Sequence, residues 1–159
     1  MDFINDTELN NQIKSYIQGS KLEVLNYKIK EFNFIDLKLE YVAFKYCHFH
    51  KCTFINVRFS TIYFDNSIFE QCVFKDCSFE YIDFGFFNLT IKDSIFYKSN
   101  FIKIEFLEST IEQVSFVSCQ FNSLDFVTSK IHKCKFISSN LDGLIYSSEN
   151  FLKKNMFID

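Results

Sequence analysis

From Phe34 onward an apolar residue returns at every fifth position: Leu39, Phe44, Phe49, Phe54, Phe59, Phe64, Phe69, Phe74, Phe79 and Phe84. Val24 and Ile29 carry the register backwards. After Phe84 it slips by two residues and resumes at Ile91, running through Phe96, Phe101, Phe106, Ile111, Phe116, Phe121, Phe126, Ile131, Phe136 and Leu141 to Tyr146. Of the 23 Phe in the chain, all but six stand on this ladder, where random placement would leave roughly four. A period of five matches neither the 3.6 of a helix nor the 2.0 of a flat strand, so the chain must turn once per repeat.

A second ladder runs two residues ahead of the first. All six cysteines fall on it (Cys47, Cys52, Cys72, Cys77, Cys119, Cys134), and its other sites hold Ser67, Ser94, Ser99, Ser109, Ser129 and Ser139 or apolar groups such as Val42, Ile62 and Leu124. Each five-residue unit therefore points two side chains inward and three outward. A longer period lies beneath: Val42, Ile62 and Ile82, then Ile104, Leu124 and Leu144, recur every twenty residues, as do Ile91, Ile111 and Ile131. Twenty residues are four units, so the chain comes back over itself after four faces. The pattern predicts one continuous solenoid, with the two-residue slip at 85–91.

Units such as Cys47-His48-Phe49-His50-Lys51, Cys72-Val73-Phe74-Lys75-Asp76 and Cys77-Ser78-Phe79-Glu80-Tyr81 resemble the pentapeptide repeat family, whose consensus is Ala-(Asp/Asn)-Leu-X-X with Phe often replacing Leu. Ile82-Asp83-Phe84, Ser99-Asn100-Phe101, Leu124-Asp125-Phe126 and Ser139-Asn140-Leu141 carry the same likeness. No first inward position is Ala, and the Asp/Asn position is often Lys, Tyr, Ile, Thr or Val. The resemblance implies an all-β solenoid, a right-handed quadrilateral β-helix of about six four-sided coils. At a rise of about 4.8 Å per coil the rod would be about 30 Å long.

An open coil at either end needs a cover. Residues 1–20 are expected to form an N-terminal cap, with a short amphipathic helix at 6–18 begun by Asp6 and stopped by Gly19. The repeat array should occupy 21–146, because the next inward site is Glu149, which cannot be buried alone. The remaining 147–159 offer Phe151, Leu152, Met156 and Phe157 as a lid on the last coil or as a homodimer contact. Gyrase-protecting members of the family resemble the second arrangement, dimerising through their C-terminal ends.

Composition narrows the chemistry. Seventeen basic and twenty acidic side chains give a net charge of −3, too balanced for a nucleic-acid binder. No apolar run approaches the ~20 residues of a membrane span, and the N-terminus lacks a signal-peptide pattern, so a cytoplasmic protein with reduced thiols is expected. Cys47-His48-Phe49-His50-Lys51-Cys52 looks like four metal ligands, but the register sends both Cys inward and both His outward, so no metal is expected there. Cys52 and Cys72 lie one coil apart, within disulfide reach on distance alone; as core thiols they stay reduced. His132 reads as a surface residue. With three isolated glycines there is no phosphate loop, and a convex rod lacks a catalytic cleft. No catalytic residue, cofactor or metal is expected.

The outward positions sort by charge. The face carrying Phe44, Phe64, Phe84, Phe106 and Phe126 holds Glu23, Asp65, Asp83, Glu105, Glu108 and Asp125 against Lys45. The next face holds Lys28, Lys30, Lys51, Lys92, Lys130 and Lys133 against Glu31, Glu70, Asp93 and Glu112. Two functions follow as expectations: a non-enzymatic protein-interaction scaffold, or, as resemblance to quinolone-resistance members implies, a DNA-mimic protector of a type II topoisomerase such as DNA gyrase.

Overall fold

The computed structural model describes residues 2–3, 11, 22–146, 151 and 154–159, with backbone only at 2–3, 22 and 81–86. The expected N-terminal helix at 6–18 lies outside the described residues, as does Leu152. What is described is an all-β parallel solenoid of about six coils. Strands of mostly three residues stack one coil above another, each pairing in parallel with its counterpart 20 or 22 residues on except at the two ends.

The four faces are named here by one inward Phe each. On the Phe49 face the order is Asp2–Phe3, Tyr27–Lys30, His48–His50, Ile68–Glu70, Thr90–Lys92, Thr110–Glu112, Lys130–His132. On the Phe54 face it is Asn33–Ile35, Thr53–Ile55, Val73–Lys75, Ile95–Tyr97, Ser115–Val117, Lys135–Ile137, Met156–Ile158. The Phe59 face begins with Lys38–Glu40 and Arg58–Ser60, and three of its later strands (Ser78–Phe87, Asn100–Leu107, Gln120–Asp125) run on into the Phe44 face. That fourth face is opened by Leu22–Leu25 paired with Val42–Lys45.

Both ladders are the core. Phe34, Phe49, Phe54, Phe59, Phe96, Phe101 and Phe116 are buried, as are all six cysteines. Down one column the rings of Phe34, Phe54, Phe74 and Phe96 stack at 4.4, 4.6 and 4.5 Å, within 8° of parallel. Rings on neighbouring faces meet edge-on, as Phe44 and Phe49 do at 5.3 Å and 74°. The coil spacing imposes the stacking and the square section imposes the edge contacts, and both are favourable aromatic geometries.

Without proline, and almost without glycine, most corners are turned by the residue two after an inward ladder member. Asn26, Glu31, Asp36, Tyr41, Tyr46, Lys51 and their successors through Ser138 adopt φ between 46° and 64°. That left-handed conformation costs a residue with a Cβ about 1 kcal/mol. Each corner is anchored: Lys51 N–H donates to Glu70 O at 2.9 Å, Asp76 N–H to Tyr97 O at 2.9 Å, Lys98 N–H to Val117 O at 2.9 Å. Polar side chains add rungs, such as Asn56 to Asp36 and Gln113 to Asp93, both 2.8 Å.

The small inward residues solve a polar problem. Ser67 Oγ accepts the Cys47 N–H at 3.0 Å, Ser94 Oγ that of Cys72 at 3.0 Å, and Ser99 Oγ that of Cys77 at 3.2 Å. The cysteines use their thiols the same way, Cys47 Sγ donating to Val24 O at 3.4 Å and Cys52 Sγ to Ile29 O at 3.3 Å. Cys and Ser thus perform one task, bonding backbone groups that no neighbouring strand reaches.

The two-residue slip shows in the pairing between Ile82 and Phe86, and it sets Phe86 opposite Phe106 where the ladder reading put Phe84. Leu141 and Tyr146, the last ladder members, are about a third exposed (36% and 39%). Past them the chain makes a further rung. Met156–Ile158 pairs with Lys135–Ile137, and Phe157 stacks on Phe136 at 5.2 Å. Phe151 is buried beneath Tyr146, 4.4 Å between ring centres. Asn155 Oδ1 accepts the Cys134 N–H at 2.9 Å, standing where earlier coils place a serine. Nearby, a Cβ on Gly143 would run into the Phe121 carbonyl one coil below, so this glycine is required by close approach.

Candidate interaction faces

With the interior filled, chemistry is left to the outward side chains, and the four faces differ. The acidic residues of the Phe44 face are not equally free. Lys45 Nζ lies 2.9 Å from Glu23 Oε1, and that hydrogen bond raises the lysine above its ordinary value. Partial burial raises the Asp65 carboxyl. Glu105 and Asp125 stand side by side in register on adjacent coils. Asp125 Oδ1 also accepts the Val127 N–H at 2.7 Å, closing its own turn. Glu108 sits at a corner with φ 50°, and the Asp83 side chain lies outside the described residues.

The Phe49 face is ionic. Parallel register sets Glu70 opposite His50, with Lys92 on the next coil. His48 Nε2 is 3.1 Å from Glu70 Oε2, His50 Nδ1 is 3.3 Å from the same oxygen, and Lys92 Nζ is 2.9 Å from Oε1. The Lys92 hydrogen bond holds the Glu70 carboxyl below the usual range. Two coils on, His132 Nε2 lies 2.9 Å from Glu112 Oε1, so this histidine has a partner rather than standing alone on the surface. The Phe59 face is polar, with Arg58 Nη2 2.6 Å from Glu80 Oε2; Ser78 and then Arg58 hold Glu80 low.

The Phe54 face is mainly apolar. Its outward residues include Ile35, Ile55, Val73, Ile95, Tyr97, Val117, Ile137, Met156 and Ile158, broken by Lys75 and Lys135 and by the neutral polar Asn33, Thr53 and Ser115. Ile35, Ile95, Met156 and Ile158 are exposed. Sorting outward positions by charge alone passes over this face, because its signal is an aliphatic residue beside the inward Phe, one place after it at Ile35, Ile55, Val117 and Ile137 and one place before it at Val73 and Ile95.

The cysteines offer no reactive site. Desolvation pushes Cys47, Cys77, Cys119 and Cys134 up to about 11. Cys72 is raised by its hydrogen bond with Cys52 and by burial. Cys52 is lowered by the same hydrogen bond, but it is as closed to solvent as the rest; all six are free thiols, and the five that are raised stay neutral and are poor nucleophiles. Cys47 and Cys52 face inward while His48 and His50 are half-buried on the outside. Among the described residues no helix is long and apolar enough to cross a membrane.

A family model for pentapeptide repeats matches residues 40–85, and the same five-residue geometry continues on both sides of that stretch. Over that stretch the chain is an array of pentapeptide repeats. Among solved structures of such repeat proteins, it is 10% identical to HetL, involved in heterocyst differentiation regulation in the cyanobacterium Nostoc, over 89% of this chain and 70% of that one, with a TM-score of 0.47. It is 13% identical to a trypsin-treated form of QnrB1, a plasmid-mediated fluoroquinolone resistance protein, over 96% of this chain and 92% of that one, TM-score 0.39. For Rfr23 of the cyanobacterium Cyanothece the identity is 7%, over 94% and 99%, TM-score 0.29. No curated protein matches the sequence. The repeat protein's architecture rests on its own strand pairing.

Proposed function

We propose that this repeat protein is a non-enzymatic scaffold that docks a protein partner along the Phe54 face. The observation that carries this reading is the apolar stripe itself. Seven paired strands at about 4.8 Å make a strip about 29 Å long, and two side chains of width give on the order of 300 Å², the scale at which exposed apolar surface marks an interaction site. The charges inside the strip are Lys75 and Lys135, so the matching surface is apolar with carboxylates between. Affinity capture with the protein carrying Ile35→Glu, Ile95→Glu and Ile137→Glu tests it. A partner held by the wild type should be lost by this variant and kept by Glu31→Gln/Glu112→Gln on the Phe49 face. Retention by the Phe54-face variant overturns the reading. A homodimer through the C-terminal end is a companion proposal, since Met156–Ile158 ends its sheet with Met156 exposed; light scattering that reads a monomer at high concentration refutes it.

The second reading, a DNA-mimic protector of a topoisomerase, is favoured by Glu105 and Asp125, in register on adjacent coils, with Asp65 on the same face. We rank it second on charge density. Six acids against Lys45 over about 30 Å leave roughly one net charge per 6 Å, whereas a duplex carries one per about 1.7 Å. Inhibition or protection of gyrase in a supercoiling assay, lost on charge reversal of Asp65 and Glu105, would reverse the ranking.

A further inference from the structure

We propose that His48, His50 and Glu70 form a three-ligand site for a divalent ion of the zinc class. The two histidines flank buried Phe49 on one strand, so both rings leave the sheet on the same side. The next coil delivers Glu70 in register opposite His50. One oxygen, Glu70 Oε2, stands 3.1 Å from His48 Nε2 and 3.3 Å from His50 Nδ1. Metal–ligand bonds of about 2.0–2.1 Å in a tetrahedron place neighbouring donors about 3.3 Å apart, which both histidine–carboxylate distances match. The three donor atoms all lie within 4.8 Å of one another.

A second observation points the same way. His50 Nδ1 is buried and has no hydrogen-bond partner, although Glu70 Oε2 stands 3.3 Å away. A buried ring nitrogen aimed at a carboxylate without bonding it is what a bound cation would satisfy. Strands on both sides hold the backbone. Lys92 Nζ lies 2.9 Å from Oε1, the other oxygen of that carboxylate, and leaves Oε2 to the two rings. Two imidazoles and a carboxylate suit zinc, copper or nickel and not magnesium or calcium. The fourth position stays open to water or to a donor from a partner.

The Lys92 ammonium repels a cation, and this gives the site a distinctive test. Cobalt(II) and zinc titrations of the full chain, followed by calorimetry and by the cobalt d–d spectrum, should show one ion per chain. The bands should be those of nitrogen and oxygen ligands without thiolate charge transfer. Glu70→Gln and His50→Ala should each weaken binding at least about tenfold, Cys52→Ser should leave it unchanged, and Lys92→Gln should tighten it. Circular dichroism checks that each variant folds, and the gain with Lys92→Gln cannot come from a loss of fold. No saturation by about 100 μM metal, a thiolate spectrum, or affinity indifferent to Glu70→Gln and Lys92→Gln would overturn the proposal.

Discussion

The Phe49 and Phe54 faces share a backbone, a strand length and an inward column, yet one is ionic outside and the other aliphatic. His48, Glu70, Lys92 and Glu112 mark the first; Ile55, Ile95, Val117 and Ile137 mark the second. The inward residues at successive levels are Phe49, Phe69, Ile91 and Ile111 against Phe54, Phe74, Phe96 and Phe116, all buried. The difference teaches that in this architecture the inside of each five-residue unit sets the fold and the outside is free to vary. Neighbouring faces can then carry unrelated chemistry on one scaffold.

If that division holds, the largest losses come from the shared interior. Phe74→Ala removes a ring stacked on Phe54 and Phe96 and edge-packed on Phe69 and Phe79. It should cost about 3–5 kcal/mol in urea unfolding, because coils above and below fix the cavity. A smaller effect belongs to the end of the Phe54 face. Asn155→Ala leaves the Cys134 amide without its acceptor and should cost about 1–2 kcal/mol, whereas Asn155→Ser restores an oxygen and should recover part of that loss.

The column of inward residues was legible in the sequence because burial leaves no choice: a five-residue period in Phe34 through Phe136 has no other use. The small positions were legible for the same reason, and the cysteines proved to be packing and hydrogen-bonding groups. Asn155 was not, since the chain between Tyr146 and Phe157 abandons the period and only the stacked geometry shows what replaces serine. The His48, His50 and Glu70 cluster was hidden differently. The two histidines are two residues apart in sequence, but Glu70 joins them through the twenty-residue stacking, and reading outward residues by charge never sets them in one column. The Phe54 stripe was visible in the letters and needed only a sort by hydrophobicity.

The smallest effects lie in charge and have opposite signs on two faces. Glu70 is held low by Lys92, so its ion pair contributes above the ordinary carboxylate range near pH ~4.3 and is lost as pH falls through the lowered value. Asp65 is raised by burial, so the native state binds that proton more tightly and its charge opposes folding at neutral pH. Melting curves from pH 7 to about 3 should show Glu70→Gln less stable at neutral pH with a shallower acid decline, and Asp65→Asn slightly more stable at neutral pH. Each change should stay within about 1 kcal/mol; equal signs would contradict the assignment.

The division between inside and outside is tested most directly on two adjacent residues of one strand, Ile95–Tyr97. Ile95 is 43% exposed and Phe96 is 2% exposed. Urea unfolding of Ile95→Ala and Phe96→Ala, measured side by side, should give less than about 1 kcal/mol for the first and about 3–5 kcal/mol for the second. Losses of similar size would contradict the account, because the outer face would then be holding the coil together as much as the aromatic column does.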